Sequence, residues 1–170
     1  MKKTLIHVLL FEDNPGDARL FREFLHEDGF TEVELDHVER LKTGLEHLSQ
    51  GKPDVILLDL GLPDSQGLET FKRVYAQAPD VPIVVLTGLN DSEQAVEAVR
   101  DGAQDYLVKG EVSGGWLVRA IRYAIARKRA EDALRDSQAQ VTGIFNSAMD
   151  AIITVDEEQK IIIFNPSAEK

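Results

Sequence analysis

Val55-Ile56-Leu57-Leu58-Asp59-Leu60-Gly61-Leu62-Pro63-Asp64-Ser65-Gln66-Gly67 is the stretch from which the fold can be read. Four apolar residues run directly into an acid, and a loop punctuated by Gly and Pro follows. A short continuous apolar run of this kind fits a strand buried on both faces, as in a parallel sheet. Asp59 then stands at the strand's carboxyl end, where open α/β sheets carry their functional groups. An Asp in this position also serves simply to begin a turn. The choice between the two depends on what the other strands end in.

Leu5-Ile6-His7-Val8-Leu9-Leu10-Phe11 is a second buried-strand candidate, and it ends in Glu12 and Asp13. Asn14-Pro15 then starts a helix, with Asn as cap and Pro at the first helical position. Phe21, Phe24 and Leu25 recur at helical spacing up to Gly29, the expected end of that helix. Val33 to Val38 reads as a strand, and Leu41, Leu45 and Leu48 mark a helix that stops at Gly51-Lys52-Pro53. Leu68, Phe71 and Val74 share a helical face. Val81 to Thr87 is a strand ending in a hydroxyl, and Ala95, Val96 and Val99 line a helix that exits at Gly102. Asp105-Tyr106-Leu107-Val108-Lys109 is a last short strand ending in a cation. Strands alternating with helices predict a parallel α/β sheet with helices on both faces. In such a sheet all carboxyl ends face one way, so Glu12, Asp13, Asp59, Thr87 and Lys109 should converge.

Unit charges about 4 Å apart repel by roughly 4 kcal/mol at an effective dielectric near 20. Clustered carboxylates must therefore raise some of their pKa values or bind a cation. Oxygen ligands with room for water suit Mg²⁺. A metal beside a carboxylate, with a hydroxyl and a lysine opposite, suits phosphoryl transfer to the carboxylate itself. Asp59 is then the acceptor, Lys109 offsets developing charge, Thr87 donates to a phosphoryl oxygen, and small Gly88 leaves room for the group. A flavodoxin-like ligand binder would instead need a Gly-rich phosphate loop after the first strand. Glu12-Asp13-Asn14-Pro15 repels phosphate unless a metal intervenes.

Composition narrows the classes. A chain of 170 residues with 43% hydrophobic content can build a sizeable core, and a net charge of −11 argues against a nucleic-acid partner. With no cysteine there is neither a disulfide framework nor thiol chemistry. Met1-Lys2-Lys3-Thr4 precedes an apolar run too short to span a membrane and lacks a signal-like cleavage region. The expected location is cytoplasmic, with no membrane association. His7, His26, His37 and His47 show no ligand spacing, and Asp54 and Asp64 read as strand-entry and turn residues.

On Glu12-Asp13, Asp59 within Asp-Leu-Gly-Leu-Pro-Asp-Ser-Gln-Gly, Leu86-Thr87-Gly88, and Gly102-Ala103-Gln104-Asp105-Tyr106-Leu107-Val108-Lys109, the chain resembles the receiver domain of two-component response regulators. The resemblance covers residues 1–125. It implies a flavodoxin-like, doubly wound, five-stranded parallel sheet of order 2-1-3-4-5, with a phosphoaspartate at Asp59. It also implies Mg²⁺ held by Asp13, Asp59 and the backbone carbonyl of Gly61, with Glu12 acting through water. Tyr106 matches the family's switch aromatic, which follows the inward movement of the Thr87 hydroxyl. The implied partner is a histidine kinase or a phosphotransfer protein. The domain would not be an enzyme in the ordinary sense, although a receiver promotes its own phosphorylation and dephosphorylation. A pseudo-receiver that works only through partner binding fits less well, since no acid is missing. Gly110 departs from the family pattern, in which proline usually follows the lysine, often across a cis bond. A cis bond without proline costs about 2.5–4 kcal/mol, so a trans bond and a strained loop both stand open.

Trp116, Leu117, Ala120, Ile121, Ala124 and Ile125 form the apolar stripe of a final helix, and helical composition continues to Gly143. Residues 126–143 read as a helical signalling linker, extending the C-terminal helix. Leu134, Val141, Ile144 and Phe145 keep a thin seam interrupted at Ser137-Gln138, an imperfect heptad that suggests a coiled-coil homodimer. Arg127-Lys128-Arg129 reads as a solvated face. Residues 144–170 then give a β-hairpin, Ile152 to Val155 and Lys160 to Phe164, before Asn165-Pro166 starts another helix. This segment resembles the opening of a PAS sensory domain, and the sequence looks cut within a longer protein. A histidine kinase or diguanylate cyclase output is the expectation for the remainder.

Overall fold

The computed structural model describes residues 5–27, 33–88 and 91–169. Met1 to Thr4 and the expected helix end at Gly29 lie outside the described residues. Contacts divide the chain into two compact units, residues 1–128 and 129–170.

The first unit is built on β1 (Ile6–Phe11), β2 (Val33–Val38), β3 (Val55–Asp59), β6 (Ile83–Thr87) and β7 (Asp105–Val108). They pair in parallel in the order β2-β1-β3-β6-β7, which is 2-1-3-4-5 counted over these five strands. Two short strands, β4 (Gly61–Leu62) and β5 (Ser65–Gln66), form an antiparallel hairpin directly after Asp59. Helices α1 (Pro15–Glu27), α2 (Leu41–Gln50), α3 (Leu68–Gln77), α4 (Ser92–Arg100) and α5 (Gly114–Ser147) make the connections.

The strands alternate between two cores, as a period of two requires. Leu9, Phe11, Ile56, Leu58 and Val85 pack with residues of α2, α3 and α4. Val8, Leu10, Leu57, Val84 and Leu86 pack with residues of α1 and α5. Val55, Ile56, Leu57 and Leu58 are wholly inaccessible, the result of covering β3 on both sides. On α2, Gly44 faces the Phe11 ring so closely that a Cβ there would overlap it. This close approach seats α2 against the end of β1, next to the acidic pair.

Two sequence expectations about helix faces are corrected. Trp116 is 51% exposed, while Leu117, Val118 and Ile121 are buried. The core-facing side of α5 starts one residue later than the stripe suggested. On α4, Val96 is exposed and Ala98 takes the buried place beside Ala95. Gly143 does not end α5, which continues to Ser147. A glycine inside a helix costs only about 0.5–1 kcal/mol relative to alanine. The helix begins at Gly114, with Ser113 O accepting the N–H groups of Trp116 and Leu117 at 3.1 and 2.9 Å.

Asp64 does more than turn the chain. Arg40, at the N-cap of α2, makes no side-chain cap bond. The Leu41 and Lys42 N–H groups donate instead to the Asp64 carboxylate at 2.8 and 3.0 Å. Asp54 accepts from His7 N at 2.9 Å and ties the entrance of β3 to β1. No peptide bond among the described residues is cis, so Lys109-Gly110 is trans.

In the second unit, β8 (Ile153–Val155) and β9 (Ile161–Phe164) form an antiparallel hairpin. Asp156 Oδ1 closes its turn by accepting Glu158 N and Lys160 N at 2.9 and 2.8 Å. Asn165 is fully buried and bonds Ile152 N and Asp150 O, and a 3-10 turn over Pro166–Glu169 follows it. Among the described residues no helix is long and apolar enough to cross a membrane.

Candidate functional site

Parallel pairing sets the site. Register places Asp59 of β3 opposite Leu86, and Thr87 of β6 opposite Val108, one residue before Lys109. The ladder extends past β1 and β7, through Glu12 N to Val38 O at 3.0 Å and Lys109 N to Thr87 O at 2.7 Å. Glu12, Asp59, Thr87 and Lys109 therefore meet at one sheet edge because each follows or ends an apolar run.

Glu12, Asp13 and Asp59 each offer an oxygen, and these atoms lie within 4.8 Å of one another. Glu12 is wholly inaccessible, Asp59 is half-buried and Asp13 is exposed. The Lys109 ammonium sits among the acids, 2.5 Å from both Asp59 Oδ2 and Glu12 Oε2. It also lies 3.3 Å from Asp17 Oδ2, at the first turn of α1. Asp17 was not singled out in the sequence, where a first-turn acid is the ordinary complement to a helix dipole. Asn14 Oδ1 caps that helix through Gly16 N at 2.8 Å and thereby orients Asp17.

Backbone groups hold the two central carboxylates. Asn14 N donates to Glu12 Oε1 at 3.1 Å, and Gly61 N donates to Asp59 Oδ1 at 2.8 Å. His37 Nε2 lies 2.7 Å from the Glu12 carbonyl oxygen, which makes this histidine a support for the edge and not a ligand. Burial raises the Glu12 carboxyl to about 7, with the Asp59 charge adding to it and Lys109 opposing it. Burial by itself would lower the Lys109 ammonium. Its bonds to Asp59 and Glu12 outweigh that and raise it above the usual lysine range.

On its other side Asp59 opens onto a cavity of about 460 Å³, lined among others by Gly61, Thr87, Gly88, Asp91 and Gln94. Thr87 is buried and its hydroxyl donates to Gly88 O at 3.2 Å. The left-handed Gly67 (φ +66°) admits the Gln94 side chain, which would meet a Cβ there at 2.8 Å. Tyr106 stands apart from the charged cluster, half-buried against the α2–α4 core.

All the donors in the acidic cluster are carboxylate oxygens, and the ammonium already placed between two of them marks a position that selects positive charge. This set suits a hard divalent cation such as Mg²⁺. The arrangement therefore sets the half-buried Asp59 carboxylate between a cluster of acids that suits a cation on one side and a cavity with a hydroxyl on the other.

A family model described as the response regulator receiver domain matches residues 8–122. The regulatory protein LuxO of Vibrio cholerae is 38% identical over 100 residues, covering 59% of this chain and 21% of that protein. The KDP operon transcriptional regulatory protein KdpE of Escherichia coli is 37% identical over 129 residues, covering 76% of this chain and 55% of that protein. The match thus spans about a fifth to a half of these relatives' lengths. A response regulator receiver domain protein from Clostridium thermocellum aligns with a TM-score of 0.65 at 26% identity, covering 74% of this chain and 98% of that one.

Glu12 yields a pH prediction for the metal-free chain. Its carboxyl lies near 7 when folded, against an ordinary 4.5. Between these values the folded state keeps a proton that the unfolded state releases, so stability falls as pH rises and the penalty is complete above the folded value. In urea unfolding at about pH 5 and about pH 8, wild type should lose more stability with rising pH than Glu12→Gln. Equal pH slopes in the two proteins would contradict the assignment.

Proposed function

The chain belongs to the response regulator receiver family, and from that membership we propose that it is a phosphoacceptor in a two-component phosphorelay. A histidine kinase or a phosphotransfer protein supplies the phosphoryl group, and Asp59 receives it. The observation carrying this reading is the placement of Asp59 between the acidic cluster and the Thr87 cavity, with Lys109 bonded to its carboxylate.

In this reading Asp13, Asp59 and the Gly61 carbonyl would hold Mg²⁺, with Glu12 acting through water. Mg²⁺ held there would supply positive charge to offset that on the transferring phosphoryl oxygens. An Asp59 oxygen attacks phosphorus, an O–P bond forms, and the donor's N–P bond breaks. The electron pair leaves on the donor imidazole, which takes up a proton. Lys109 offsets charge on the phosphorylated carboxylate. The Thr87 hydroxyl, now on Gly88 O, turns to a phosphoryl oxygen, and Tyr106 moves into the space it vacates.

The signal leaves through α5. Residues 126–143 act as a helical linker to the hairpin of residues 144–170, whose sequence resembles the opening of a PAS sensory domain. The large exposed apolar residues of this helix support self-pairing. Trp116, Tyr123, Leu134, Val141 and Ile144 are 51% to 69% exposed. All five occupy the inward positions of one heptad frame, as a parallel two-stranded coil requires. The flanking positions carry Ala126, Glu131, Ala133, Gln138 and Gln140, which place no like charges opposite one another in such a pair. Arg127 and Ser137 fall at inward positions of the same frame and interrupt the seam, and Ser137-Gln138 leaves a weak layer at which the pairing can shift when Asp59 gains charge.

With Mg²⁺ and a small phosphodonor, wild type should gain one base-labile acyl phosphate on the Asp59 peptide, and Asp59→Asn should gain none, as read by intact mass and peptide mapping. Label on another residue would contradict the reading. Sedimentation should show a dimer for the full chain and a monomer for residues 1–126. Two monomers at micromolar concentration, phosphorylated or not, would exclude the helical relay.

A further inference from the structure

We infer that Asp64 is a positioning residue for the phosphoacceptor loop, fastening the hairpin that follows Asp59 to the N-terminus of α2 and so fixing the Gly61 backbone against Asp59. The inference rests on the phosphoacceptor reading above.

The first N–H groups of a helix have no partner within it. Most helices satisfy them locally, with Ser, Thr, Asp or Asn at the N-cap. Here Arg40 takes the extended conformation of an N-cap (φ −138°, ψ 145°) but makes no cap bond. The acceptor comes from a residue more than twenty positions away, through both oxygens of the Asp64 carboxylate. A local serine would serve α2 equally well. What a distant cap adds is a tie between two elements.

The second element is the loop that contacts the acceptor. Gly61–Leu62 pairs with Ser65–Gln66, which leaves Pro63 and Asp64 as the tip. At the base, Gly61 N donates to Asp59 Oδ1 and Gly67 N donates to Leu60 O, each at 2.8 Å. From the α3 side, buried Thr70 donates its hydroxyl towards Leu60 O at 3.2 Å and Ser65 Oγ at 2.9 Å. Leu62 points into the core and is 1% exposed. The hairpin is thus held by α3 along one strand and by α2 at its tip.

The cap is charged. Burial opposes ionisation of Asp64, but the N–H groups of Lys42 and Leu41, with the Arg40 charge beyond them, hold its carboxyl below the usual range. A carboxylate at a helix N-terminus is also favoured by the helix dipole. Ionic acceptors make the stronger hydrogen bonds, so the tip is fixed by two of them. Only four residues separate Asp64 from Asp59, and freedom at the tip reaches Gly61 through a two-residue strand.

The test separates fixing the loop from capping the helix. Asp64→Ala removes both roles, and Arg40→Ser on that background restores a local cap without the tie. Two quantities are read on the full chain, Mg²⁺ affinity by titration and exchange of the Gly61 amide in the metal-free protein by NMR. Asp64→Ala should weaken Mg²⁺ binding and speed Gly61 exchange by about fivefold to tenfold, the ratio that corresponds to a lost cap. Adding Arg40→Ser should recover the unfolding midpoint but neither of these quantities. Should Asp64→Ala not fold, Asp64→Asn carries the same comparison, since it keeps one acceptor. Unchanged Mg²⁺ affinity and exchange in the single variant, or recovery of both by Arg40→Ser, would overturn the inference. A wild-type chain that binds no Mg²⁺ would instead overturn the phosphoacceptor reading, and the exchange measurement would still decide whether Asp64 holds the loop.

Discussion

Lys109 reaches across the carboxyl edge of the sheet to Glu12 and Asp59 at 2.5 Å and to Asp17 at 3.3 Å. Without that ammonium the acids would face one another in a partly desolvated pocket, where each close pair repels by about 4 kcal/mol. The fold cannot separate them, because parallel pairing brings the ends of β1 and β3 together whatever residues stand there. Two adjustments make the arrangement tolerable. Glu12 holds its proton up to about 7, and Lys109 keeps its own more firmly than an ordinary lysine. Both lessen the excess of negative charge, yet one ammonium still stands against the acids Glu12, Asp13, Asp17 and Asp59. In the proposed function a divalent cation held at Asp13 and Asp59 would supply the remaining positive charge.

The core and the site differ in how far they could be read from the sequence. Buried strands announce themselves as apolar runs, and the residue after each run falls at the sheet edge by geometry alone. Glu12, Asp59, Thr87 and Lys109 were legible for that reason, and so was the order of the sheet once the family resemblance was in view. Asp17 and Asp64 were not. Each is a single acid in a local setting, a helix first turn and a Pro-Asp turn, that explains it without any distant partner. Only the folded chain brings Asp17 beneath Lys109 and Asp64 against α2. Trp116 and Val96 failed for a different reason. On an amphipathic helix a shift of one residue turns a side chain by about 100°, and the sequence pattern does not resolve the edge of the buried stripe that finely.

The helical boundary at Gly143 shows the limit of local punctuation. A glycine penalty is small against the continuity of a long helix, and α5 passes through it to Ser147. Beyond it the hairpin of β8 and β9 presents apolar side chains that stay about half exposed, from Ile153 at 50% to Ile161 at 61%. A two-stranded hairpin is marginal in water by itself. Its buried Asn165 and the turn bonds of Asp156 give local order without a core. The first unit has two cores of its own, so the chemistry assigned to Asp59 does not depend on the second.

Lys109 is the counterion of this edge, and in the proposed function a metal would compete with it for the same carboxylates. Mg²⁺ titration of metal-free Lys109→Met against wild type tests it most directly. Removing the ammonium leaves Glu12, Asp17 and Asp59 without their cation. The variant should be less stable without metal and should bind Mg²⁺ at least about tenfold more tightly. Unchanged or weaker Mg²⁺ binding in Lys109→Met would contradict the account.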